Sequence, residues 1–101
     1  MILYNVTVKI DKDIEAIWLK WMKEKHIVDV MGTGHFTSSR ICKLLDQPDE
    51  DAEATYVIQY SCESLHKYNH YILHHAAALR DEHNKKFKEK FVAFRTVMQE
   101  V

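Results

Sequence analysis

Cysteine, proline and glycine are scarce in this chain: its 101 residues hold two cysteines, one proline and two glycines. Cys42 and Cys62 lack CxxC or other zinc-ligand spacing, so no metal ribbon is encoded. Both fall in predicted strands, where a free cysteine behaves as a small hydrophobe, and they are expected to stay thiols even if the strands pair. The lone Pro48 excludes a continuing central strand at its position. Gly32-Thr33-Gly34 neither follows a strand nor opens a helix in a βαβ nucleotide unit, which excludes the dinucleotide and P-loop readings. No apolar run approaches the ~20 residues that span a bilayer. Neither sign of charge dominates: fourteen Lys and Arg are mixed with fifteen Asp and Glu. There is thus no electrostatic footprint for nucleic acid and no polybasic membrane patch.

The remainder is an ordinary globular composition, 47% hydrophobic. That suits one domain over residues 1–101 that closes its core without staples. Seven histidines stand out; below about pH 6 they would make the protein strongly cationic. The opening MILYNVTVKID alternates apolar and polar residues, as a strand does and a signal peptide does not, so the cytoplasm is the expected location.

Ile2, Tyr4, Val6, Val8 and Ile10 form one face of a first strand. Asp11 or Asp13 can cap a helix carrying Ile14, Ile17, Trp18 and Trp21 on its apolar stripe and ending near Lys25–His26. An irregular piece, 28–36, leads to a second strand over 37–46. Gln47-Pro48-Asp49-Glu50-Asp51 reads as a polar turn, and 55–62 as a third strand. Ser64 is placed to N-cap a second helix with Leu65, Tyr68, Ile72, Ala76 and Leu79 inward. Residues 91–98 form the last strand.

The order β-α-β-β-α-β predicts an α+β, ferredoxin-like fold: a four-stranded antiparallel sheet with two helices on one face. Tyr4, Val6, Tyr56, Ile58 and Phe94 are expected under the helices. Leu3, Asn5, Thr7, Val57, Gln59, Ser61, Phe91, Ala93, Arg95 and Val97 are expected on the uncovered face. So apolar an open face predicts a homodimer formed by sheets meeting face to face.

The stretches MILYNVTV, DVMGTGHFTSSR, CESL, HHAAALRDEHNKKFKEKFVAFRT and above all the FVAFRT ending resemble a bacterial family of short uncharacterised proteins, a domain of unknown function (family number 4286). The resemblance spans nearly the whole chain. It implies a ferredoxin-like domain of dimeric α/β-barrel type and carries over no catalytic residue. The wider group with that architecture includes monooxygenases, haem-degrading enzymes and isomerases, and fold does not fix function.

Four constellations are candidates for chemistry. His66, His70 and His74 recur at the spacing of a helical face, but no carboxylate completes a ligand set, so they read as a solvated face and no metal is assigned. His75 lies at the edge of the apolar stripe, where a hydrogen-bonded core role is expected before a catalytic one. His35, after the glycines, could line a pocket mouth. Arg95 with Asn5, Thr7 and Gln59 would suit a carboxylate or phosphate, or a polar dimer interface. Tyr4, Trp18, Trp21, Tyr56, Tyr60 and Phe94 could wall a flat hydrophobic ligand, though their spacing first suits a core. The acidic run 49–53 reads as a solvated hairpin tip.

The function expected from these features is a homodimeric module that binds a small molecule or a protein, without cofactor. The alternative is a small cofactor-independent enzyme, monooxygenase- or isomerase-like, acting on a flat hydrophobic substrate with His75 or Tyr56 as polar participant. An amino-acid-sensing module is a third reading, weakened because such modules usually accompany an enzyme.

Overall fold

The computed structural model describes residues 1–46 and 52–101. The polar turn expected at 47–51 lies outside them. Strands β1 (Ile2–Asp11), β2 (Ser38–Lys43), β3 (Glu53–Cys62) and β4 (Phe91–Gln99) form one sheet in the order β2-β3-β1-β4. Every pairing is antiparallel. Two helical runs connect the halves. The first, α1, opens with a 3-10 turn at Lys12–Ile14 and joins α-helical Glu15–Trp21 to Ile27–Gly32 through a π turn, Met22–His26. The second, α2, joins Leu65–Tyr71 to Ala77–Lys86 through a π turn, Ile72–Ala76. This is the expected ferredoxin-like arrangement, with both helices on one face.

The buried face pairs Tyr4 with Tyr60, Val8 with Tyr56 and Ile10 with Ala54 across β1 and β3. Trp18, Met22, Val30, Tyr71, Ala76 and Phe87 complete the core. The buried side of α1 recurs every fourth residue: Ile14, Trp18, Met22, His26, Val30. Such a stripe runs ahead of a 3.6-residue turn by about 0.4 residue at each step. The wide π turn absorbs the excess. For that reason α1 continues to Gly32 instead of ending near His26, and Ile17, expected inward, is 65% exposed. In α2, Leu65 is likewise exposed, while Tyr71 and His83 are buried.

The face of β4 is the reverse of the one expected. Val6 pairs with Arg95 and Val8 with Ala93, whereas Thr7 pairs with Phe94 and Lys9 with Val92. Phe91, Ala93, Arg95 and Val97 therefore share the helix side, and Val92 and Phe94 the open side. Both alternate sets of β4 contain large apolar residues, so its own pattern does not choose between them. Register with β1 does, and a shift of one residue flips every side chain.

Cys62 is buried opposite Ile2, and Cys42 is exposed opposite Val57; both are free thiols. Among the described residues, no helix is long and apolar enough to cross a membrane.

Candidate functional site

A small cavity in the helix–sheet layer combines apolar walls with titratable groups. Val6, Val8 and Ala93 form its floor, Met22 and His26 come from α1, and Arg80 and His83 from α2. Arg95 reaches it from β4. Its volume is about 30 Å³, the share of one liquid water.

His83 is 7% exposed. The Trp18 indole N–H donates to its Nε2 at 2.9 Å, so the neutral ring carries its proton on Nδ1. Phe91 meets the ring edge-on with centroids 4.5 Å apart. Burial, with the Arg95 charge adding to it, pushes the His83 pKa down to about 4. His26 sits on the α1 π turn and stacks on Trp21 at 5.4 Å. Burial, then the neighbouring His83, pushes it also to about 4. Two imidazoles thus stay neutral at pH 7 beside two guanidinium groups. Arg80 donates to the Tyr4 hydroxyl at 3.0 Å. The buried His26 Nδ1 and Arg80 Nε have no protein partner. Unpartnered buried polar atoms are costly, and a water or another outside group can complete their hydrogen bonding.

The sequence candidates are distributed differently from expectation. Arg95 does not converge with Asn5, Thr7 and Gln59, because β4 turns it to the helix side. Arg40 of β2 takes that place: its Nε and Nη2 donate to Gln59 Oε1 at 3.0 and 2.6 Å, and Asn5 pairs with Gln59 across β1 and β3. Tyr4, Trp18, Tyr56 and Tyr60 are packed in the core, whereas Phe94 is on the open face. The Tyr56 hydroxyl donates to Glu15 at 2.6 Å, and Lys43 closes on the same carboxylate at 2.8 Å. Burial and that carboxylate push Tyr56 up to about 12. Its proton is engaged, which disfavours it as an acid or base.

His75 is half-buried against Tyr71, with ring centroids 6.3 Å apart, and lies 5.0 Å from the His35 ring. His35, expected only at a pocket mouth, also meets His70: its Nε2 lies 2.7 Å from His70 Nδ1. His66 and His74 are exposed on the same helix. Sequence reasoning missed His26, Arg80 and His83. The every-fourth-residue stripe of α1 was the available signal for His26.

The chain belongs to the family described as a domain of unknown function, DUF4286, whose model matches residues 1–101. No curated protein matches it in sequence. Solved structures share the fold at low identity. An ethyl tert-butyl ether d (ethd) family protein from Bacillus halodurans is 8% identical with a TM-score of 0.71, over 100% of both chains. A dimeric ferredoxin-like protein from an uncultured marine organism is 14% identical with a TM-score of 0.68, over 100% of this chain and 95% of that one. SnoaB, a cofactor-independent oxygenase from Streptomyces nogalater, is 7% identical with a TM-score of 0.62, over 99% of this chain and 93% of that one.

Proposed function

From that family membership and the helix–sheet cavity, we propose that the protein is a homodimeric module that binds a small anionic molecule between its helices and its sheet. The observation that carries this reading is the pair of unpartnered buried atoms, His26 Nδ1 and Arg80 Nε, lining one cavity with Arg95. A carboxylate or enolate oxygen accepts from guanidinium donors and is favoured by their charge. The cavity as it stands admits about one water, so an anchoring oxygen fits and the body of the ligand lies outward, toward Arg95. The dimer reading draws support from the apolar open face and from the fold shared with a dimeric protein.

A second reading, a cofactor-independent enzyme, is favoured by the two neutral imidazoles beside those guanidiniums. A neutral imidazole can take a proton from a substrate whose developing anion an arginine stabilises. The cofactor-independent oxygenase of similar fold makes it relevant.

Native mass spectrometry of freshly purified, untagged protein tests the main reading. The expected result is twice the 12.0 kDa chain mass, with either a retained small acid or a dimer that takes one up from an aromatic carboxylate panel. Arg80→Ala should abolish uptake and leave the dimer intact. Uptake unchanged in Arg80→Ala would remove the cavity from the proposal. Turnover of a panel member that His26→Gln or His83→Gln abolishes would favour the enzyme.

A further inference from the structure

The geometry points to a divalent transition-metal site of the zinc class built from His35, His70 and His75, with its fourth position open to solvent. One ring nitrogen from each of the three lies within 4.8 Å of the others. Two chain segments far apart in sequence create the site. His35 follows Gly34, whose φ of +82° lets the chain leave α1 sharply. The Gly34 N–H bonds to the Met31 carbonyl at 3.1 Å. The His35 carbonyl accepts from the Cys62 thiol at 3.2 Å, which ties the loop to the end of β3.

His70 and His75 come from α2. Five residues apart on a regular helix, at about 100° each, they would point about 140° apart. The π turn over Ile72–Ala76 widens the helix between them and brings His75 round toward the side of His70. Spacing of four, the natural pattern to look for, selects His66, His70 and His74 and so overlooks this set.

The chemistry of the donors selects the metal. Three imidazoles and no carboxylate suit zinc, nickel or copper and disfavour calcium and magnesium, which seek oxygen. Three histidines plus a water is the open form of a zinc site. The His35 Nε2 to His70 Nδ1 separation of 2.7 Å opens to roughly 3.4 Å when both ligate one tetrahedral ion at ~2.1 Å. His70 is exposed and His75 half-exposed, so ring rotation supplies that movement.

The test is zinc chloride titration of EDTA-stripped, untagged protein against a chromophoric chelator. Thermal unfolding with and without zinc is recorded in parallel. One zinc per chain and a raised Tm are expected. His35→Gln, His70→Gln and His75→Gln should each weaken binding by more than about 100-fold, beyond what loss of an outer partner costs. His66→Gln should bind as the parent does. His70 and His75 lie on the helix surface, so their variants keep the test informative if His35→Gln fails to fold. No stoichiometric zinc overturns the site. Binding lost in His66→Gln or His74→Gln but kept in His35→Gln overturns it too, and would mean a simple helical pair.

Discussion

His83 accepts a hydrogen bond from Trp18 while packed among aromatic rings, and that fixes both its tautomer and its charge. Free imidazole gains its proton near pH 6.5. His83 and His26 in the folded chain gain theirs only near 4. Between those values the unfolded chain binds more protons, so stability is complete above about pH 6.5 and is lost as pH falls toward 4. At ~1.4 kcal/mol per pKa unit each of the two accounts for a loss on the order of a few kcal/mol. Urea unfolding at pH 7.5 and pH 5 should show a lower midpoint at pH 5, and a constant midpoint would contradict the assignment. His26→Gln and His83→Gln should each flatten the dependence. Neither residue was singled out in the sequence; for His26 the every-fourth-residue stripe of α1 was a signal, for His83 there was none. The partner of His83 comes from a helix 65 positions away, a proximity no local pattern carries.

At the scale of elements, the helices show where local rules hold and where they yield. Ser64 was legible as an N-cap, and its side chain accepts from the Lys67 N–H at 3.2 Å. Ser64→Ala should cost about 1 kcal/mol, read as a lower urea midpoint at neutral pH with an unchanged m-value. The two π turns were not legible as such. In α1 the π turn reconciles a stripe of period four with a helix of period 3.6, in α2 it lies between the buried Tyr71 and Ala76, five residues apart, and each carries histidines: His26 in α1, His74 and His75 in α2. β4 shows a different limit. Its two faces are nearly equal in apolar character, so hydrogen-bond register with β1 decided that Arg95 joins the cavity and Phe94 the open face.

For the whole molecule, that reversal concentrates apolar surface where no helix covers it. Phe94 is 61% and Val92 63% exposed, beside Leu44 and Thr7 in a shallow groove. Phe94→Glu should therefore convert the proposed dimer to a monomer, measured by sedimentation at micromolar concentration. Arg95→Ala, on the other face, should leave the dimer unchanged. A Phe94→Glu protein that remains dimeric would place the interface elsewhere.

The sequence by itself determined the element order, the ferredoxin-like architecture, the covered face of β1 and β3, and the cap of α2. Each of these follows from periodicity or from a side chain bonding its own backbone within a few residues. Only the tertiary structure decided the face of β4, the substitution of Arg40 for Arg95 beside Gln59, the His26–Arg80–His83 cavity and the meeting of His35 with His70 and His75. These depend on strand register and on the phase of two widened helices, which are set by contacts between segments 19 to 97 residues apart and leave no local trace.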